Sequence, residues 1–338
     1  MHTPPQETGR TIREHQTSDA LIYDIVQSVV INFRCPDIAS QLIWNRPGNQ
    51  IRVILGGGEK NFNNSGNFSD GRTDGKDLIA EWMKDKKSSN SRYRFIDNRD
   101  DLKSLDPDST DFLLGIFNAD EFEYKLDIGD EDETQPRLFE MTQKAIEILG
   151  NDEERGFVLF VEAAHVDKAH HKNWAKKSLE EVLELELAVE AALKLEAALK
   201  LVNTSETLMI VTADHSHSLT INGYPHLGAD ILGYDGGRGS QQRSDDTLGR
   251  HYPSLMYSTG PGKRTGFYDI SEDPRLSKAD FEYPATLFKE SAAHGGEDVS
   301  LYAIGPFSDL FHGLIDQHQI PHILSYAGNF GQGIKCCN

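Results

Sequence analysis

The chain has 338 residues, enough to bury a sizeable core as one large domain or two small ones. Its hydrophobic residues, 38% of the total, are spread along the sequence, which predicts a globular protein, and its formal net charge is −20. That charge argues against a nucleic-acid binder or a protein docked on an anionic membrane, yet it is compatible with an anionic ligand wherever bound cations reverse the local field.

The opening MHTPPQETGRTIREH lacks the basic-then-apolar pattern of a signal peptide, and the closing GIKCCN has no apolar tail of the lipid-anchor type. No run approaches the roughly 20 apolar residues of a membrane span. Cys35, Cys336 and Cys337 make a poor disulfide framework, and Asn63, Asn67 and Asn203 lie in short N-x-S sequons that matter only in a secreted protein. Residues 1–34 read as a divergent N-terminal segment carrying one apolar run, Ala20–Ile31, ahead of a domain over 35–338.

From there, strands and helices alternate. IRVILGGG (Ile51–Gly58) is an apolar run closed by glycines and predicts a buried strand. DGKDLIAEWMK has helical spacing at Leu78, Ile79 and Trp82, and FLLGIF (Phe112–Phe117) predicts a second buried strand. MTQKAIEILG reads as an amphipathic helix stopped by Gly150. GFVLFVEA (Gly156–Ala163) and TLMIVTAD (Thr207–Asp214) are the two strongest strand patterns, with LMYSTG and SLYAIG following. Apolar strands separated by helices predict an α/β sheet covered on both faces. EAALKL occurs twice in tandem, at Glu190–Leu195 and Glu196–Leu201. Six inserted residues turn a helix by about 600°, so the repeat reads as a surface extension in a stretch rich in helix formers.

Polar chemistry gathers where apolar runs stop. In VEAAHVDKAHH, Glu162 stands at a strand end, the usual ligand position of an open α/β sheet. Asp167 and His171 are four apart and share one helix face, so a carboxylate and an imidazole can converge on one cation. Zinc takes such nitrogen and oxygen donors. The structural alternative is a solvated helix start. His165 and His170 point elsewhere on such a helix and read as supporting or surface residues. In TADHSH, Asp214 and His215 are candidates for a second cation, and His217 for a supporting or substrate-side role. A turn with side-chain hydrogen bonds is the alternative there. In AHGGEDV, His294 precedes two glycines that let the backbone come close to something. His312 and Asp316, also four apart, read as structural, and His226 and His251 as substrate-side or surface. Three segments offering Asp, Glu and His at element ends predict a multinuclear metal site. Paired cations suit phosphate esters because they stabilise the attacking and leaving oxygens of an in-line displacement.

These motifs resemble the alkaline phosphatases, particularly the animal ones. VEAAHVDKAHH is similar to the family's VEGGRIDHGHH, TADHSH is identical to it, and AHGGEDV matches THGGEDV. CPDIASQLI, VILGGG, DGKDLIAEW, FLLGIF, GYPHLGADILG, TGPG and PHILSYA share the family's style, so the likeness runs from about Cys35 to Ala327.

The resemblance implies an alkaline-phosphatase-like α/β fold, with a mixed, mostly parallel sheet flanked by helices and incomplete at its N-terminus. It implies one zinc on Asp167, His171 and His294, a second zinc on Asp214 and His215, and a magnesium site that includes Glu162. His165 stands where the family usually has arginine, and Lys168 where it often has histidine. A calcium site follows the FLLGIF-like strand in the family, and Phe117 matches one of its residues. The family hydrolyses phosphate monoesters through a phosphoserine. No residue here matches that serine, and Arg13 is the candidate for the phosphate-clamping arginine. The segment with the family's usual partner for Cys35 is unmatched too. The resemblance further implies a homodimer at the cell surface, membrane-attached only through a lipid anchor that this sequence does not encode. The alternatives are an inactive paralogue that binds metal or phosphate, and a metallohydrolase that needs no serine.

Overall fold

The computed structural model describes residues 36–330 apart from 64, 67, 129–133, 152–155, 200–204, 224–226, 235–250 and 264–268. Arg13, Cys35, Asn67, Asn203, His226, Cys336, Cys337 and the Ala20–Ile31 run lie outside the described residues.

Helix α1 (Ile38–Trp44) starts at Asp37, whose side chain accepts the Ser40 N–H at 2.9 Å, a cap of the kind worth about 1 kcal/mol. Strand β1 (Val53–Gly56) is buried along its whole length and leads to the one-turn α2 (Glu59–Phe62). Helix α3 (Leu78–Ser88), capped by Asp77, buries Leu78, Ile79 and Trp82, as its spacing predicts. Then come β2 (Tyr93–Ile96), α4 (Arg99–Ser104) and β3 (Phe112–Ile116). β3 lies between β1 and β2, parallel to both, in the register Val53↔Leu113 and Ile96↔Gly115. Continuous apolar runs rather than alternation mark strands covered on both faces, and β1 and β3 are of that kind. Gly115 is needed there because a Cβ would come within 2.6 Å of both Leu55 and the Phe117 ring.

After the short α5 (Lys125–Ile128), helix α6 (Leu138–Leu149) stops at Gly150, as predicted. Glu140 accepts the Arg137 N–H at 2.9 Å and pairs with Arg99 at 2.8 Å, tying the start of α6 to α4. Trp82, Met141, Leu113, Leu114 and Phe62 belong to the resulting core.

Residues 156–163 depart from the expected strand. They run without a ladder partner among the described residues, with Phe157, Leu159 and Val161 against the core and Val158 and Phe160 64% and 51% exposed. The apolar pattern is that of a strand covered on both faces, but here only one side finds cover. The second strong pattern yields only a three-residue strand, Met209–Val211. The expected two-sided cover therefore holds for β1 and β3 but not along the whole chain.

Helix α7 (His165–His171) follows directly, then the long α8 (Ala175–Leu199), which runs through the first EAALKL copy and into the second. β4 (Met209–Val211), β5 (Ser216–His217) and β6 (Leu219–Ile221) come next, then β7 (Leu255–Gly260), β8 (Ala285–Phe288), β9 (His294–Gly295), β10 (Tyr302–Ile304) and α9 (Gln319–Ala327). β4 pairs antiparallel with β10, β5 antiparallel with β9, and β7 antiparallel with β6 but parallel with β8. A second core gathers Ala175, Leu255, Tyr257, Ile270, Phe281 and Tyr283 under β7. The result is a mixed α/β fold whose central strands are parallel.

Candidate metal centre

Three elements meet where α7 begins to carry chemistry. α7 supplies Asp167 and His171, the β5 end supplies His217, and β9 supplies His294. One ligand atom from each of these four residues lies within 4.8 Å of the others. The i, i+4 spacing on α7 turns Asp167 and His171 to one side, with His171 Nε2 3.2 Å from Asp167 Oδ2. The β5–β9 ladder pairs His217 with His294, so both project from the same face of that ribbon. His294 Nε2 stands 3.1 Å from His171 Nε2 and 3.6 Å from Asp167 Oδ1.

Hydrogen bonds on the far side of each ring fix what its near side offers. His171 Nδ1 faces the Ala292 carbonyl at 2.7 Å, and a carbonyl only accepts, so Nδ1 carries the proton. In the neutral ring Nε2 is then a lone pair aimed at a carboxylate oxygen. Such a pairing is repulsive unless a proton or a cation lies between them. His215 is arranged the same way, with Nδ1 donating to the Ser216 carbonyl at 2.9 Å and Nε2 3.2 Å from Asp214 Oδ2. His217 is the reverse. Its Nδ1 accepts the Ser218 N–H at 3.1 Å, so a neutral ring holds its proton on Nε2, which faces Asp167 Oδ1 at 3.4 Å. That approach lacks hydrogen-bond geometry and leaves Asp167 Oδ1 and His217 Nε2 buried without a hydrogen-bond partner. The donor set and the orphaned Asp167 Oδ1 fit a cation at Asp167, His171 and His294, with the His217 Nε2–H standing beside the carboxylate on its other side.

Charge follows the same geometry. Burial opposes ionisation of Asp167, but the His171 and His217 rings outweigh it and hold its carboxyl well below the usual range. The hydrogen bond to Asp167 raises His171 above an ordinary imidazole, against the pull of burial. Burial, helped by the neighbouring His215, lowers His294. Burial also pushes His170 down, to about 4.

The other predicted residues are held differently. His215 stacks on His294 with ring centroids 3.6 Å apart, which puts the Asp214–His215 pair beside the first group. The Asp214 side chain is 73% exposed against 32% for Asp167. Glu162 does not join the four-residue group; it lines a cavity of ≈ 70 Å³ with His165, Glu181 and Glu184. His165 is buried against Tyr124 at 4.6 Å rather than on the surface, and His170 is packed between Tyr257 and His217. Lys168 pairs with Glu121. His251 stacks on Tyr234, and His312 Nδ1 bonds the Asp309 carbonyl, which fits a structural role.

Sequence reasoning missed the supports: the Ala292 carbonyl, Tyr257, Ser178, and a Ser216–Glu297 hydrogen bond behind the ribbon. One signal was present in the glycines after His294. A Cβ on Gly295 would lie 1.9 Å from Ser216 Oγ and 2.1 Å from Glu297 Oε2, so the close approach that Gly295 allows is to this clamp.

The fold and site together define an α/β protein in which a short helix and a two-stranded ribbon bring together a carboxylate–histidine cluster that could hold a metal ion. The alkaline phosphatase family model matches residues 8–330, and the chain belongs to that family. It is 38% identical over 313 residues to membrane-bound alkaline phosphatase of Bombyx mori, covering 90% of this chain and 54% of that protein. It is 35% identical over 317 residues to the tissue-nonspecific alkaline phosphatase isozyme of Gallus gallus, covering 90% and 57%. The chain thus spans little more than half the length of these relatives. In fold it is similar to a cold-active alkaline phosphatase from a psychrophilic Shewanella, with TM-score 0.52 and 21% identity over 85% of this chain and 67% of that one. A TAB5 alkaline phosphatase mutant with magnesium bound in its M3 site gives TM-score 0.51 and 18% identity over 82% and 61%. At those identities the structural likeness concerns the fold alone.

Proposed function

We propose that this chain forms a metal-dependent phosphomonoesterase site, in which Asp167, His171 and His294 hold one zinc, Asp214 and His215 hold a second, and Glu162 serves a magnesium position. The observation that carries this reading is the convergence of Asp167, His171 and His294, with His171 Nδ1 committed to the Ala292 carbonyl so that Nε2 is the atom left to face a cation. Divalent metal bound there supplies positive charge for phosphoryl oxygens and lowers the pKa of coordinated water. The chain's own residues do the positioning. The Ala292 carbonyl fixes the His171 tautomer, His217 aligns the Asp167 carboxylate, and the stack of His215 on His294 keeps the two ligand sets adjacent. In a chain of net charge −20, such local cations would favour the approach of an anionic ester.

The family's phosphoserine route belongs to the same proposal, its serine being one that no residue of this chain matches, as do Arg13 as the phosphate contact, a calcium site near Phe117, homodimerisation and cell-surface placement. These rest on resemblance. No described helix is long and apolar enough to cross a membrane. A second reading, metal or phosphate binding without catalysis, is favoured by the exposure of Asp214, which leaves the second ligand set open on one side.

Zinc-loaded chain assayed with a generic aryl phosphate, before and after chelation, separates the two. Turnover that disappears with chelator and returns with zinc supports the phosphatase reading. Stoichiometric zinc uptake without turnover, unchanged when a relative's serine-bearing segment is supplied, supports the binding reading, and absence of zinc uptake contradicts both.

A further inference from the structure

His170 is adjacent in sequence to a proposed ligand, yet it faces away from the cation position. Its Nε2 lies 2.8 Å from Ser178 Oγ and its Nδ1 2.8 Å from Tyr257 Oη. Ser178 Oγ is also 3.0 Å from the Val166 carbonyl, which can only accept. The single hydroxyl proton of Ser178 is therefore committed to Val166, and its oxygen accepts from His170 Nε2–H. Nδ1 is then the acceptor, and the Tyr257 hydroxyl donates to it. Each polar atom of the ring has one partner of the right polarity. The His170 ring is thus locked about its own axis between α7 and β7, with Tyr257 fully buried. His217 packs on the other side, 5.1 Å from the His170 ring and 4.8 Å from the His171 ring.

We propose that Tyr257 and Ser178, acting through His170, are positioning residues for the metal centre: they hold the ring against which His217 rests, and His217 in turn aligns Asp167. This rests on the zinc reading of Asp167, His171 and His294. Groups that touch a ligand directly typically change metal affinity by about 10- to 100-fold when removed, and Tyr257 and Ser178 stand two side chains further back, so the lower end of that range is expected. Tyr257→Phe deletes one hydroxyl and leaves His170 Nδ1 without a donor.

Tyr283 provides a matched control. It is equally buried in the same core, and its hydroxyl donates to the Leu232 carbonyl at 2.5 Å, so Tyr283→Phe removes a comparable hydrogen bond outside the His170 network. The experiment is Zn²⁺ titration of the full chain against a chromophoric chelator, with thermal unfolding of the metal-free proteins and imidazole ¹⁵N spectra alongside. The expected result is a zinc affinity about tenfold weaker in Tyr257→Phe and unchanged in Tyr283→Phe, with similar losses of thermal stability. The His170 spectrum moves from one Nε2–H tautomer to a mixture in Tyr257→Phe only. Ser178→Ala, which attacks the network from the other end, weakens zinc similarly and carries the test if Tyr257→Phe does not fold. Equal zinc affinity in wild type, Tyr257→Phe and Ser178→Ala overturns the proposal, as does equal weakening in Tyr257→Phe and Tyr283→Phe. A wild-type chain that takes up no zinc overturns the metal reading itself, and is seen before any variant is compared.

Discussion

Asp167 and Asp214 both follow apolar segments, and both face a histidine Nε2 at 3.2 Å, but only Asp167 is held from several sides. His171 sits on its own helix, His217 and His294 arrive from the β5–β9 ribbon, and Ala292 fixes the His171 ring. Asp214 has its neighbour His215 and open solvent. A ligand set is thus pre-organised by the elements behind it. The same acid–histidine chemistry can stand beside it with little pre-organisation. Glu162 makes the contrast sharper, because it ends a segment that has no ladder partner among the described residues and lies apart from the cluster.

The largest effect is expected at Asp167. Asp167→Asn removes the one charge that the three histidines surround, and is expected to weaken the tight zinc site by at least about 100-fold in an equilibrium titration, given the strength of charge-assisted ligation. Asp214→Asn is expected to leave that site within a few-fold of wild type. Equal losses would mean that the two halves are equally built.

The ribbon comes next. Gly295→Ala forces a Cβ into the Ser216–Glu297 contact, and overpacking of this kind costs about 1–3 kcal/mol. The expected outcome is a lowered melting temperature together with loss of tight zinc binding, because His294 moves with β9. Gly296→Ala, with nothing within 4 Å of its Cβ position, is the silent neighbour that checks this.

Proton linkage gives a smaller effect with a definite sign. His171 is raised, so the stability it contributes is present below the unfolded histidine value of about 6.5 and is lost as pH rises through its folded value. His294 and His170 are lowered, so below about 6.5 the unfolded chain takes up protons that the folded chain refuses, and stability falls as pH drops toward their folded values. These three groups together place a stability maximum of the metal-free chain at about pH 6.5, readable in thermal unfolding across roughly pH 5 to 8. Zinc requires the neutral His171 ring, so zinc affinity is expected to rise with pH over the upper part of the same range. A metal-free stability that climbs steadily to pH 8 would contradict the assigned His171 environment.

Much of the first ligand set was legible in the sequence because its logic is local. Asp167 and His171 share a face by helical spacing, and the glycines after His294 announced a close contact. The motifs also carried the family, which the match over residues 8–330 bears out. What was not legible depends on partners distant in sequence. Whether GFVLFVEA becomes a strand depends on what flanks it, and its apolar pattern cannot report that neither Val158 nor Phe160 finds cover. The support role of His217 rests on one backbone N–H, that of Ser218, which decides the tautomer. The burial of His170 depends on Tyr257, which lies 87 positions away.

The most direct test of this account is zinc stoichiometry and affinity on the full chain, compared among wild type, His171→Ala and Asp214→Ala. One tight zinc is expected in wild type, lost in His171→Ala and retained in Asp214→Ala. Tight binding that survives His171→Ala, or that is lost only in Asp214→Ala, would contradict it.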